Sequence, residues 1–200
     1  MVKKSKEAKK FVAVGFLAEG ASDKILLDFL RRTNFFQQYN ILVKAVIGGD
    51  GREKLISDLD VRIDQCFKMG AEKVIVLADM EELPCFTKAK SAFHHQGIHK
   101  VIIAKKALEA WFLADSTAMQ KKLKDKKFHF HAPENTSKMP WNALEEEFHK
   151  RKVPFTDSKP AFAKQMVESA GFSITLAAEH PNCKSITYFL NTLATAGSDE

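Results

Sequence analysis

The 200-residue chain has no apolar run long enough to cross a bilayer, which excludes a spanning helix. Its first ten residues carry five lysines but lead into no signal-peptide apolar region or cleavage site. Export is not expected, and the chain reads as cytoplasmic. Cysteine is scarce: Cys66, Cys85 and Cys183 are odd in number, far apart and without CxxC spacing. That excludes a disulfide framework and points to reduced thiols, read as small core residues. The seven histidines include no HExxH-like frame, so a zinc site is not expected. No repeat of solenoid length is visible, no Ser-His-Asp arrangement can be assembled, and the G-x-x-x-x-G-K-[ST] of an NTP-binding loop is missing.

What is present is an ordinary globular composition, 45% hydrophobic and 28% charged, in a chain long enough for one large domain or a domain with an appended lobe. The net charge of +6 suits a polyanionic partner, nucleic acid above all, and it suits equally a soluble protein that is merely basic. Much of the excess sits in residues 1–10 and 121–127, runs of a kind that ordinarily form solvated faces.

Residues 11–17 (FVAVGFL), 41–47 (ILVKAVI), 73–78 (KVIVLA) and 101–104 (VIIA) are short, continuous apolar runs rich in β-formers. Ser22 is expected to cap a helix over 23–32. Leu55, Ile56, Leu59, Ile63 and Phe67 form one helical stripe closed by Gly70, and a further helix is expected from near Pro84 to His95. Unbroken apolar strands alternating with helices predict an α/β protein, a mostly parallel sheet of about four strands with helices on both faces. After residue 105 the pattern turns helical, over 107–113, 141–151, 161–169 and 184–193, with a polar, loop-like stretch over 121–140. The expected organisation is a basic tail (1–10), an α/β core (11–115), a helical lobe packed on it (116–195) and a closing tail (196–200).

Open parallel sheets bind ligands at the carboxyl ends of their strands. Those ends carry Glu19 after the first strand, residues 48–52 after the second, Asp79 and Glu81 after the third, and Lys105, Lys106 and Glu109 after the fourth. Carboxylates gathered at one edge would repel and raise each other's pKa, and a Mg²⁺ or Mn²⁺ ion would offset that. If the chain stays extended past the third strand, Asp79 and Glu81 point the same way and can share the ion. Otherwise Asp79 caps the next helix and Glu81 sits in its first turn. Six residues separate Glu109 from Asp115, about 120° around a helix, so Glu109 is the candidate for the metal or for positioning water, and Asp115 a helix cap. Trp111 reads as core. The amides of Gly49 and Gly51, with Arg52, Lys105 and Lys106, could meet a phosphodiester, although the glycine-rich loop is equally an ordinary strand–helix turn.

Glu19-Gly20-x-Ser22-Asp23 at a first-strand end, followed by an acidic pair after the third strand, resembles the TOPRIM domain. That domain occurs in topoisomerases, bacterial primases, small RNA-maturing nucleases and overcoming-lysogenization-defect nucleases. The resemblance implies that Glu19 acts as general acid or base and that Asp79 opens a Mg²⁺-holding D-x-D pair. Glu81 stands where the family usually has Asp, which keeps the charge and lengthens the reach. Residues 108–115 (LEAWFLAD), with Gly48-Gly49, Lys159-Pro160 and 181–185 (PNCKS), are similar to a group of bacterial TOPRIM-like proteins, so the resemblance spans residues 11–195. It implies a TOPRIM/Rossmann-like fold and a Mg²⁺- or Mn²⁺-dependent nuclease or phosphodiesterase acting on DNA or RNA in phage defence or genome maintenance. Glu19 and Asp79 would be catalytic, and Glu19, Asp79, Glu81 and Glu109 would hold the metal. Nucleic acid and an operon-encoded protein are the implied partners. The alternative is a non-catalytic TOPRIM-derived module that binds nucleic acid or a partner protein.

Overall fold

The structure, a computed structural model, describes residues 10–198. Residues 1–9 of the expected basic tail and the last two of the closing tail lie outside the described residues. β1 (Val12–Ala18), β2 (Ile41–Gly48), β3 (Lys73–Asp79) and β4 (Lys100–Ala104) form one all-parallel sheet in the order β2-β1-β3-β4. Helix α1 (Ala21–Arg32) links β1 to β2, α2 (Arg52–Ser57) and α3 (Leu59–Lys68) link β2 to β3, and α4 (Phe86–Ser91) links β3 to β4. The chain then runs through α5 (Glu109–Ala114), α6 (Ser116–Leu123), α7 (Pro140–Lys150), α8 (Lys159–Gln165), α9 (Ile174–Ala178) and α10 (Lys184–Ala196). Among the described residues no helix is long and apolar enough to cross a membrane.

Strand alternation divides the core in two. Val14, Phe16, Ile75, Leu77 and Ile102 face α1 and the later helices, whereas Leu17, Val74, Val76 and Ile103 face α2, α3 and α4. Every residue of β1 is buried, as a central strand covered on both faces requires. Gly15 is needed for that cover: a Cβ there would lie 2.7 Å from both Cβ and Sγ of Cys66, so its absence seats α3 against β1. The Cys66 thiol, pushed up to about 11 by burial, is inert packing. Cys183 is also buried, but Cys85 is exposed, a departure from the reading of all three as core. Leu113, Met119, Leu144, Phe162 and Phe189 share one core with the sheet residues, so the later helices pack directly on the first face.

Several boundaries differ from those expected. Gly20, not Ser22, is the residue before α1, and its amide is held by the side chain of Asp23 at 2.7 Å. The stripe from Leu55 to Phe67 belongs to two helices broken at Asp58, whose side chain bonds Ser57 and Arg62 in competition with a regular backbone turn. Helix α4 stops at Ser91, and the chain turns to bury Phe93 in the second core. Residues 121–140 are only partly irregular, because α6 reaches Leu123 and a 3₁₀ turn occupies Pro133–Asn135. Helix α9, capped by Ser173, has too short an apolar stripe to register as a period.

Candidate functional site

The strand order reverses between β1 and β3: α1 carries the chain from β1 to β2 on one side, and the next crossover returns to place β3 on the other. The crevice at such a switch point lies between the ends of the two central strands. Glu19 follows β1 and Asp79 ends β3, so both stand there, and the Asp79 amide donates to Glu19 Oε2 at 3.3 Å. Beyond β4 the chain turns back over this edge, and the Leu108 amide donates to Asp79 Oδ1 at 2.9 Å. That bond places Glu109, the next residue, over the crevice. From the other side the first turn of α1 lowers Asp23 into the same place.

The four carboxyl groups are electrostatically one cluster. Asp23 is 2% exposed and its carboxyl is pushed up to about 8, by burial first and then by the charges of Glu19 and Glu109. Burial also raises Asp79 well above its ordinary range, with Asp23, Glu109 and Glu19 adding to the effect. Glu109, 3% exposed, is raised by burial and partly restored by Lys159, whose Nζ lies 3.8 Å from Glu109 Oε1. Glu19 is raised by burial against the pull of Arg52, whose Nε and Nη2 lie 3.2 and 3.0 Å from its two oxygens. Arg52 also donates to the Asp79 carbonyl, which fixes the guanidinium across both strand ends.

Two oxygens stand out. Asp23 Oδ1 and Glu109 Oε2 are buried and have no hydrogen-bond partner among the described residues. An unsatisfied buried carboxylate oxygen costs on the order of 1–3 kcal/mol or more, so two in one cluster need a function or a ligand to explain them. With all four acids ionised, Arg52 and Lys159 leave the cluster two negative charges in excess. A divalent cation has the charge and the oxygen preference to supply what is missing. Among the described residues no three Asp, Glu, His or Cys side chains already converge as ligands of one ion. The fit lies in the donor set and its orphaned oxygens.

The chain matches no family model, no curated protein and no solved structure.

Of the sequence-predicted residues, Glu19, Asp79 and Glu109 come together. Glu81 does not. The chain fails to stay extended after Asp79: Glu81 adopts φ 52°, its amide donates to the Lys106 carbonyl, and its side chain is 55% exposed. It reaches the rim, where its Oε2 is 4.0 Å from Arg52 Nε, and acts on Glu19 through charge alone. The glycine-rich loop also differs from expectation. The Gly49 amide donates to the Ala18 carbonyl and the Gly51 amide to the Glu19 carbonyl, so neither is a free donor for phosphate. Gly48 closes this turn at φ 103°, where a Cβ would sit 2.2 Å from the Ala18 oxygen. Lys105 and Lys106 reach away to residues 135–138, with Lys105 Nζ 2.6 Å from Asn135 Oδ1 and Lys106 on the Thr136 and Lys138 carbonyls. Arg52 alone of the expected cations lies on the acids. Asp115 caps α6 through the Ala118 amide at 3.0 Å and also takes the Ser173 amide at 2.7 Å. Trp111 is fully buried, its Nε1 donating to Ser185.

Two members of the site escaped the sequence reading. The sequence places Asp23 only in the motif that opens at Glu19 and at the start of a helix, and assigns it no role of its own. Its spacing of four residues from Glu19, a strand end followed at once by a helix start, was the available signal. Lys159 carried only the Lys159-Pro160 pairing, and nothing local shows that α8 begins beside Glu109.

Proposed function

We propose that this chain is a divalent-metal-dependent phosphodiesterase acting on nucleic acid. The observation that carries the reading is the pair of orphaned buried oxygens, Asp23 Oδ1 and Glu109 Oε2, inside a four-carboxylate cluster at the switch point. Asp23, Asp79 and Glu109 would hold Mg²⁺ or Mn²⁺, and the ion, when bound, supplies Lewis-acid stabilisation of charge on a phosphoryl oxygen. Glu19 is the proton acceptor for the attacking water, its raised pKa bringing its basicity closer to neutral pH. Lys159 is 47% exposed beside Glu109 and is the cation best placed to meet a phosphate oxygen. Arg52 holds Glu19 in position and limits the rise in its pKa. The likeness to TOPRIM proteins points the same way and adds the setting, phage defence or genome maintenance.

One observation favours the second reading, a non-catalytic module for nucleic acid or a protein partner. Arg52 already engages both oxygens of Glu19, the carboxylate that the enzyme reading needs as its proton acceptor. Purified wild type and Asp79→Asn, incubated with labelled single-stranded and duplex DNA and RNA in Mg²⁺, Mn²⁺ or EDTA, separate the two. The enzyme reading expects cleavage by wild type in metal only. No divalent-ion binding by calorimetry and no cleavage of any substrate would leave the module.

A further inference from the structure

β4 is one of the two edge strands of the sheet, and a cleft beside it is not used by the acid cluster. Its wider part, about 520 Å³, is lined by His99, Lys100 and Val101 at the start of β4, and its narrower part, about 320 Å³, by Ile103 near the end. Lys90 of α4 and Tyr188 of α10 line both parts, so the two adjoin at that pair. Lys90, Lys100 and Lys184 are in its walls, and no Asp or Glu among the described residues lines it. His95 is drawn to Asp60 at 3.1 Å, and His99 is held below its ordinary pKa by burial and by Lys73 and Lys100, so the lysines supply the cleft's fixed positive charge.

Aromatic surface is exposed in the same place. Phe86 and Tyr188 are each 41% exposed. Lys90 Nζ lies 4.7 Å from the Tyr188 ring centroid and 3.3 Å from its hydroxyl, so cation and ring form one unit. Rings interleaved with lysines, in a cleft free of acids, match a chain of phosphates bearing unstacked bases. A duplex offers the phosphates but hides the base faces. The narrow end of the cleft reaches Ile103, and the next residue, Ala104, is the register partner of Asp79. A strand lying in the cleft therefore runs toward the acid cluster.

We propose that the β4 cleft is a binding track for single-stranded nucleic acid, with Tyr188 and Phe86 stacking bases and Lys90, Lys100 and Lys184 meeting phosphates. It rests on the phosphodiesterase reading for its purpose and adds the substrate class: one strand, not a duplex. The test is fluorescence anisotropy in EDTA, where cleavage cannot intervene. The probes are an oligothymidylate, an oligouridylate and a duplex of equal length, with wild type, Tyr188→Ala, Tyr188→Phe, Lys90→Ala/Lys100→Ala and Asp79→Asn.

Wild type and Asp79→Asn should bind the single strands more tightly than the duplex, and the two single strands show whether DNA or RNA is preferred. Tyr188→Ala should weaken binding about tenfold while Tyr188→Phe retains it. The double lysine variant should lower the slope of log affinity against log salt by about one to two units. Equal affinity for duplex, no change in Tyr188→Ala, or no binding by wild type would each overturn the track. So would displacement of the oligonucleotide by polyglutamate with equal ease in wild type and Tyr188→Ala, which marks a surface for an acidic protein. Single-strand binding in EDTA with no cleavage in Mg²⁺ supports the track and removes the nuclease reading. Cleavage with affinities unchanged in the cleft variants does the reverse.

Discussion

Asp79 is the residue on which the cluster turns, because it ends a central strand and touches three partners at once. Its carboxyl takes the Leu108 amide, its own amide reaches Glu19, and its carbonyl takes Arg52. Asp79→Asn keeps that shape and deletes the charge. Turnover should fall by about a hundredfold or more while the thermal midpoint holds or rises, since Asn has no ionisation for burial and the neighbouring acids to oppose. Rate assays and calorimetry on one preparation check both halves, and a matched loss of rate and stability would mean the residue is structural. Arg52 supports a sharper test. Burial raises the Glu19 pKa and Arg52 lowers it, so Arg52→Met should raise it further. If Glu19 must be ionised to accept a proton, the acidic limb of the kcat/KM–pH profile moves to higher pH in that variant. An unmoved limb would mean that Glu19 is not the base. Glu19, Asp79 and Glu109 were legible in sequence because strand ends can be read from apolar runs. Asp23 was hidden by having an ordinary explanation, and Glu81 misled because one left-handed residue undoes the extended geometry that its spacing implied.

Helix α10 is locked from outside by a residue on a different segment. Glu134, 3% exposed, accepts the Lys184 and Ser185 amides at 2.9 and 2.8 Å, together with the Ser185 hydroxyl. Ser185 Oγ in turn accepts from Trp111 Nε1 at 2.8 Å and from the Lys105 amide at 3.2 Å. A distant carboxylate thus caps α10, complements its dipole and ties it to α5 and the end of β4. Glu134→Ala strips those buried donors and should lower unfolding free energy by about 2–4 kcal/mol in denaturant titrations. Divalent-ion affinity at the Asp79 cluster should be unchanged, and a change would show that α10 positions the site. No local pattern announces this clamp, since Glu134 lies in a polar stretch fifty residues before its partner Lys184. The helices themselves were readable where an apolar stripe ran three turns. They were misjudged where a single side chain intervened, as Asp58 does between α2 and α3.

Taken whole, the molecule holds protons that its unfolded chain would release. Asp23 rises from an ordinary 3.8 to about 8, and Asp79, Glu19 and Glu109 are raised as well. A raised acid stays protonated in the fold after the unfolded chain has ionised, so stability falls as pH climbs from about 4 through about 8. Other groups act in other windows. Asp50 is lowered by Arg62, Asp125 by Arg151, and Glu147, against its burial, by Lys150 and Arg151, and their contribution is lost only as pH falls below the ordinary carboxylate range. His99 and His180 are lowered from 6.5, so they favour the fold as pH rises, an effect complete once the unfolded histidines are neutral. Between about pH 7 and 8 the cluster therefore acts with little interference, because the decline from Cys66 and Cys183, both raised by burial, sets in above that as unfolded thiols ionise. In EDTA the thermal midpoint should decline across that window, and Asp23→Asn, which has no proton to lose there, should flatten the decline and sit above wild type at its upper end. Mg²⁺ competes with the same protons, so its stabilisation should grow with pH and be largest where the EDTA curve is lowest. Differential scanning calorimetry at four pH values, with and without the ion, gives all of these slopes. A flat or rising midpoint in EDTA would show that the acids are ionised in the metal-free fold. A Mg²⁺ increment that does not grow with pH would place any bound ion somewhere other than this cluster.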